Sequence, residues 1–561
     1  MRTISRYMLF AALAGIFLVL GVTSSARKSL TADEACHHIA SGYIHLTRGD
    51  FAFSPEVPPL SRYIVSVPMV FMDLKLPADR AYWAREDRSL FSRDFLYNLN
   101  RDKLAAITFS ARGMNMLLAL LGGIFLFRWA GRRYSAPEAL IAVAFFFLSP
   151  EIIAHSSVAA TDMAAAVFMM MAVFTFWDLL EEPSIRKGCF AGVCLALALL
   201  SKFSALILPF FFAAVVIVRC FSGHVDRPGR RRITPMVLLA CGLTTLLVLW
   251  AGYGFETRPF LEGAMRAGDK VDMVTGAALK FIPGIGSEGL ERIKTILYST
   301  PVPLASFITG VAGILKHGAD GSLVYFMGTW SDKGMPWYYL VAFTVKTPIP
   351  FIVALISGSE CLLRRSGKRG LNLYLFSCAM LLVILASKSN LQLGIRYILP
   401  AYPFFCLIAA QGIRTITTRG GWKAAAGYCL IAWFILESLF AWPDFLGYFN
   451  QLAITAGGGH RILRDSNIDW GQDLPELKRY MDREGVGRVG LYYFGGADPA
   501  YHGISYDNVT EQELMDPEEK VYAVSVQYLD AVKWSGEREP DAVAGKSIFV
   551  YDMRNKKVRR K

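Results

Sequence analysis

Eleven apolar runs recur between residues 7 and 442, most of them near the roughly 20 residues a helix needs to cross a hydrocarbon core. Inside a bilayer the backbone must satisfy its own polar groups, so such runs read as helices. They lie near residues 7–23, 105–127, 137–152, 161–180, 188–201, 203–219, 234–253, 337–358, 371–387, 393–412 and 424–442. The third, fifth and ninth are short. The first also has the look of a cleaved signal: Arg2 and Arg6 precede it, and Ser24-Ser25-Ala26 follows. A content of 54% hydrophobic residues fits a polytopic membrane protein. From Asp444 to Lys561 the chain turns polar and holds no spanning run. The expected fold is therefore a polytopic α-helical membrane domain of about 11 transmembrane helices over residues 1–443, followed by a small soluble α/β domain over 444–561. Within that tail, residues 488–494 and 546–551 read as strands and 474–481 as a helix.

Charge sets an orientation. The chain carries a formal +13, and its basic residues gather in short clusters between runs, which argues for topology rather than nucleic-acid binding. Arg128, Arg132 and Arg133 follow the second run, and Arg186 and Lys187 the fourth. Arg227 and Arg230 to Arg232 follow the sixth, Arg364, Arg365, Lys368 and Arg369 the eighth, and Arg414, Arg419 and Lys423 the tenth. With eleven spans, all five clusters share one side, expected to be the cytoplasm. The amino terminus is then inside and the tail outside. Two long loops, about 24–104 and 254–336, face outward, and their short amphipathic pieces such as residues 63–70 are expected in the interface plane. The nine cysteines show no metal or disulfide spacing.

On the outward side stand the residues that a membrane protein has least reason to keep. Asp33 and Glu34 follow the first run, in Thr31-Ala32-Asp33-Glu34-Ala35-Cys36-His37-His38. Glu56 lies in Pro55-Glu56-Val57-Pro58-Pro59-Leu60. His155 and Asp162 flank the turn before the fourth run, Lys202 sits between the fifth and sixth, and Arg396 opens the tenth. Ionisable groups at membrane depth are costly and mark pathways or sites. Carboxylates can take a proton or hold a cation; Lys and Arg suit phosphate oxygens.

The ordered set Asp-Glu, Glu-x-Pro-Pro-Leu, Thr-Asp-Met, Ser-Lys and Arg-Tyr-Ile-Leu-Pro-x-Tyr-Pro resembles the polyprenyl-phosphate-dependent sugar transferases. That family includes the dolichyl-phosphate-mannose protein mannosyltransferases and the lipid A aminoarabinose transferase. The resemblance covers about residues 1–445. It implies a C-superfamily glycosyltransferase-like fold and a polyprenyl-phosphate sugar, expected to be undecaprenyl-linked, as donor. It implies Asp33 as the base, with Glu34 beside it; Glu56 and Asp162 as acids near the acceptor or a metal, with His155 close by; and Lys202 as a phosphate ligand. The aminoarabinose enzyme has Lys after the motif Glu where this chain has Val57. Arg62 or Arg396 is expected to supply that missing cation.

Each residue has a plainer reading. Asp33 suits a helix cap; Glu34, on another helix face, suits a solvated surface. His37, four residues after Asp33, could join it around a divalent cation. Lys202 could snorkel, and Arg396 and Arg112 could hold anionic lipid. The segment Asp465-Ser466-Asn467-Ile468-Asp469-Trp470-Gly471-Gln472-Asp473 fits Asx turns and a helix cap as well as a sugar site. No P-loop or dinucleotide fingerprint is present. The expected function is sugar transfer to a lipid, protein or glycan on the outer face of a bacterial cytoplasmic membrane. The rivals are a flippase of a lipid-linked sugar and a noncatalytic assembly subunit.

Overall fold

The computed structural model describes residues 3–77, 88–221, 233–259, 299–363, 367–536 and 538–554. Arg227, Arg230 to Arg232, Arg364 and Arg365 and residues 260–298 of the 254–336 loop lie outside them.

Every expected run is helical. The helices are α1 (Thr3–Ser25), α2 (Ile39–Arg48), α3 (Pro59–Ser66), α4 (Leu104–Arg133), α5 (Ala136–Leu148), α6 (Pro150–Ser156), α7 (Asp162–Glu181), α8 (Ile185–Ser201), α9 (Ile207–Phe221), α10 (Pro235–Gly252), α11 (Ala305–Asp320), α12 (Tyr338–Lys346), α13 (Ile349–Gly358), α14 (Arg369–Lys388), α15 (Tyr402–Thr417), α16 (Gly421–Phe440) and α17 (Leu474–Arg483). Among the described residues seven helices are long and apolar enough to span by themselves, and nine if two bent pairs each count as one. The bends, 58° between α5 and α6 and 115° after α12, fall at Ser149-Pro150 and Thr347-Pro348. Proline removes a backbone donor and clashes with the preceding turn, so a continuous helix cannot pass through either point. The two remaining runs form α8, of 17 residues, and α15, of 16. At 1.5 Å per residue each rises about 25 Å, somewhat less than the hydrocarbon core. A 3₁₀ segment, Ile395–Ala401, extends α15.

Small residues let the helices approach. A Cβ on Gly412 would strike Ala354 O, and one on Gly358 would strike Ile408 O, so α13 and α15 meet backbone to backbone. Inside the bundle, Trp129 of α4 stacks on Phe174 of α7 with ring centroids 3.9 Å apart.

Ion pairs identify one pole of the bundle. Arg133 pairs with Asp178, Arg219 with Glu181 at 3.5 Å, Lys368 with Glu138 at 3.7 Å and Arg419 with Glu360 at 3.2 Å. These contacts tie together the chain that follows the second, fourth, sixth, eighth and tenth runs, as the charge pattern anticipated. The ends of α4, α7 and α9 meet here, so the start of α7 and the end of α8 lie at the other pole.

At that other pole a five-stranded sheet forms in the tail from β5 (Val489–Tyr492), β6 (Tyr506–Asn508), β7 (Val521–Ser525), β8 (Ala542–Ala544) and β9 (Ile548–Asp552). These follow four short strands, β1 (Thr257–Pro259), β2 (Pro301–Pro303), β3 (Val324–Phe326) and β4 (Thr329–Ser331). The sheet order is β6-β5-β7-β9-β8; β5 is parallel to both β6 and β7, and β9 runs antiparallel to β7 and β8. The chain is a multi-pass helical membrane protein with a small α/β tail. Residues 63–70 form the end of α3 and a 3₁₀ turn (Val67–Phe71), with Val65 and Ser66 buried and Phe71 exposed.

Candidate functional site

Four segments far apart in sequence bring their charged residues together at the pole that carries the tail. Asp33 has a helical backbone, φ −70° and ψ −34°, and leads into a π-helical turn, Glu34–His38. Its side chain caps no helix, which removes the plainer reading. Instead Asp33 Oδ2 accepts from Arg396 Nη1 at 2.7 Å. The same Nη1 lies 3.9 Å from Asp162 Oδ2 at the start of α7. Asp162 Oδ1 accepts from Lys202 Nζ at 2.6 Å. The result is a chain of alternating charges: Asp33, Arg396, Asp162, Lys202.

Local structure explains each placement. Lys202 stands where α8 stops; its extended backbone, φ −159° and ψ 139°, turns the chain into the 3₁₀ segment Phe203–Leu206. Its ammonium sits over the Tyr397 ring, 4.4 Å from the centroid, so it does not run out to headgroups. Arg396 follows Gly394, whose φ of 95° suits glycine, and whose missing Cβ leaves room for Ser466 Oγ. The guanidinium lies 4.2 Å from the Trp470 ring centroid and donates through Nε to Leu393 O at 2.9 Å. Asp162 is buried, with its Oδ2 unpartnered, whereas the Asp33 side chain keeps 26% of its surface open. An exposed edge on the acid and a fixed cation beside it are what an incoming substrate can meet.

Electrostatics favour an ionised Asp33. Burial, the largest single effect, would raise its pKa, but the Arg396 charge and hydrogen bond, with smaller contributions from His38 and His37, together outweigh it and hold the carboxyl below the usual carboxylate value. His38, buried behind it, is pushed down to about 4 by burial despite the pull of Asp33, so it is neutral at physiological pH.

Glu34 is a correction. Expected as a catalytic partner or a solvated acid, it is wholly buried and fully bonded. Oε1 accepts from Arg112 Nε at 2.8 Å and Ala159 N at 2.7 Å; Oε2 accepts from Arg112 Nη2 and Thr31 N, both at 2.8 Å. A carboxylate with every lone pair engaged has no capacity left for a proton. Arg112 also donates to the carbonyls of Ser25, Lys28 and Ser29. The pair clamps the loop before Asp33 onto α4, and Arg112 is not a lipid anchor.

Arg62, expected as a phosphate ligand, is bonded within its own loop, although the neighbouring Ser61 Oγ donates to Ser201 O at 2.9 Å, beside Lys202. Arg62 Nη1 donates to Ser54 O at 2.5 Å and its Nη2 to Ser54 Oγ at 2.8 Å and Glu56 Oε1 at 3.2 Å. Arg88 pairs with the same Glu56 oxygen. Its charge is therefore already matched by Glu56, which these two arginines hold well below the usual range against the effect of burial. His37 and His38 each feel the charges of both Asp33 and Arg62.

His155 lies buried in α6, its Nε2 3.6 Å from Glu151 Oε2 and its ring tilted 63° to that of Trp470, with centroids 6.1 Å apart. Lys346 Nζ reaches Glu151 Oε1 at 3.1 Å. Among the described residues no three His, Cys, Asp or Glu side chains gather as metal ligands, so Asp33 and His37 do not by themselves make a cation site.

The tail segment was undervalued by sequence reasoning. Asp473 does not cap α17: its Oδ2 accepts from Ser547 N at 3.1 Å and Lys546 N at 2.9 Å, and its Oδ1 from Lys28 Nζ at 2.6 Å. The signal available in sequence was a Trp framed by amides and acids close behind the Arg396 motif.

Residues 104–252, α4 through α10, match the model of a family described as dolichyl-phosphate-mannose-protein mannosyltransferase. That segment contains Asp162 and Lys202. No curated protein matches the chain. Among solved structures, ArnT from Cupriavidus metallidurans bound to undecaprenyl phosphate is 12% identical, with a TM-score of 0.49 and 98% of each chain covered. The Archaeoglobus fulgidus oligosaccharyltransferase in its apo form is 13% identical, with a TM-score of 0.47, 79% of this chain and 55% of that one being covered. The same organism's AglB, in complex with an inhibitory peptide and a dolichol-phosphate, is 13% identical, with a TM-score of 0.42 over 77% of this chain and 55% of that one. From α4 to α10, then, the chain is similar to the dolichyl-phosphate-mannose-protein mannosyltransferase family.

Proposed function

We propose that the protein is an integral-membrane glycosyltransferase that moves a sugar from a polyprenyl phosphate, undecaprenyl in a bacterium, to a hydroxyl or amine of a lipid, protein or glycan. The site works on the outer face of the cytoplasmic membrane; the pole of basic clusters faces the cytoplasm, and residues 444–561 form a soluble domain outside. The observation that carries this reading is the Asp33–Arg396–Asp162–Lys202 chain at the pole opposite those clusters.

Asp33 takes the proton of the acceptor O–H or N–H as that atom bonds to the anomeric carbon. The bond from this carbon to the phosphate oxygen breaks, and its electron pair leaves with the prenyl phosphate. Arg396 and Lys202 stabilise the charge that gathers on the departing phosphate, a contribution that grows in a site with little water. Asp162 keeps both cations at the rim before the donor arrives. Glu56, between Arg62 and Arg88, forms a second polar wall toward the acceptor. The donor's prenyl tail lies along the helices. ArnT was solved with undecaprenyl phosphate and AglB with a dolichol-phosphate, which agrees with a prenyl-phosphate donor here.

The test supplies labelled prenyl-phosphate sugars to the purified protein and to its Asp33→Asn form. Release of prenyl phosphate by the wild type and its loss in the variant support the reading; equal release removes Asp33 from the base role. A second reading, transport of a lipid-linked sugar, is favoured by the buried Lys346–Glu151 pair at the bends of two broken helices. Movement of an intact labelled lipid across proteoliposomes, without cleavage, would establish it instead.

A further inference from the structure

We infer that residues 466–472 of the tail are a strap that sets the distance between Asp33 and Arg396, with Trp470 as its positioning residue. The inference rests on the sugar-transfer reading for its activity arm only.

The strap grips both halves of the site by separate bonds. At its first end Ser466 Oγ donates to Leu393 O at 2.6 Å, and Asn467 Oδ1 accepts from Ile395 N at 3.0 Å, the residue before Arg396. Asn467 is fixed in turn: its Nδ2 donates to Tyr338 Oη at 2.9 Å, and its carbonyl accepts from the buried Lys346 Nζ at 2.6 Å. At its second end Trp470 O accepts from Ala32 N at 2.8 Å, the residue before Asp33, and Gln472 O accepts from Ser29 N at 2.9 Å. Gln472 Oε1 holds Trp470 N at 2.8 Å, which fixes the turn between them. The indole then does both tasks. It is 2% exposed, its face carries the Arg396 guanidinium, and it packs against the His155 ring. A cation–π contact to a desolvated guanidinium fixes direction as well as energy.

The bonding pattern separates this segment from an ordinary linker. A connection between domains bonds within itself or to water. Here bonds from a seven-residue stretch end on the immediate neighbours of the two proposed functional residues, which are 363 positions apart. The strap's own carboxylate, Asp469, is buried, accepts from Gly471 N at 3.1 Å, and reaches toward the sheet instead of the site. The tail is thereby part of the site's frame.

Two measurements test it on the full-length protein. In the first, donor turnover is followed against pH for the wild type, Trp470→Ala, Trp470→Phe and Asn467→Ala. Misplacement of a catalytic pair by about 1 Å costs about a hundredfold, so Trp470→Ala is expected to lose that much in kcat with KM changed little. Its acid limb should move to higher pH as Arg396 leaves Asp33, and Trp470→Phe should restore most of the rate. In the second, hydrogen exchange is read in peptides covering residues 29–36 and 393–399. Exchange rising in both peptides together in Trp470→Ala or Asn467→Ala supports the strap. No rise in either overturns it, whatever the activity. A rise without change in rate or pH profile overturns the positioning role. A wild type inactive on every donor overturns the sugar-transfer reading, and the exchange arm still decides the strap.

Discussion

Arg396 Nη1 and Asp33 Oδ2 stand 2.7 Å apart, so the cation proposed to meet the donor's phosphate is, in the resting molecule, bonded to the proposed base. A phosphate arriving at Arg396 competes for the same guanidinium. As it draws the charge away, Asp33 loses its partner, burial asserts itself, and the carboxylate becomes a stronger base. Donor binding thus prepares the acid for the acceptor's proton.

Asp33→Asn keeps the shape of the side chain and removes its basicity. Loss of a general base costs about 10²–10⁴ in rate, and that fall is expected in kcat for sugar transfer, with donor affinity little affected. Single-turnover release of prenyl phosphate from preloaded protein measures it. Unchanged release would move the base elsewhere.

Arg396→Gln tests the electrostatic link. Because Arg396 holds Asp33 low, the acid limb of the wild-type kcat/KM profile should lie below the usual carboxylate value. Without the cation, burial governs and the Asp33 pKa rises, so the limb moves to higher pH. The variant then loses activity at a pH where the wild type retains it. A limb that stays in place separates the profile from Asp33.

Lys202→Met leaves Asp162 with only the Arg396 contact at 3.9 Å. Removing an electrostatic ligand of a leaving group costs about 10²–10³ in kcat. The double change with Asp162→Asn removes the stranded charge and should recover the yield of folded protein, not the rate. Size-exclusion profile and turnover together separate the two effects.

Glu34→Ala leaves Arg112 buried without its counter-charge, and losses of this kind cost about 3–5 kcal/mol. The expected result is poor accumulation and early thermal unfolding, with normal turnover per folded molecule. A folded, stable and inactive variant would return Glu34 to the catalytic set.

Asp469 offers a separate pH test. Burial first, then the Asp473 charge, push its carboxyl up to about 8, against the Gly471 bond that pulls it down. The unfolded chain ionises near the ordinary carboxylate value, so between there and about 8 the folded form binds the extra proton. Stability from this group is complete at acid pH and fades as pH rises through that window. Asp469→Asn should abolish the slope and raise the unfolding temperature at pH 8–9 by a few degrees, read by differential scanning fluorimetry.

Much of the site could be read from the chain because it consists of charges where charge is expensive. Asp33, Asp162, Lys202 and Arg396 each interrupt apolar surroundings on one side of a consistent topology, and no partner is needed to notice them. What pattern could not supply was pairing. Glu34 and Arg112 are 78 positions apart, so the acid next to the proposed base is bonded to another helix. Arg62 looked available because Glu56 is a turn and a half away, where sequence spacing gives no direction. The helices were legible as runs of apolar residues; their bends at Pro150 and Pro348 were not, since an apolar run that contains a proline keeps its hydropathy while losing its straightness. Trp470 was hidden among residues that also suit turns.

Asp33, the proposed base, is made near the start of synthesis, and its guanidinium partner Arg396 follows only after nine of the eleven apolar runs. The indole that seats that partner comes later still. No nascent fragment shorter than most of the polypeptide can therefore bring Asp33, Arg396 and Trp470 together, and a chain released early by the ribosome lacks the proposed centre.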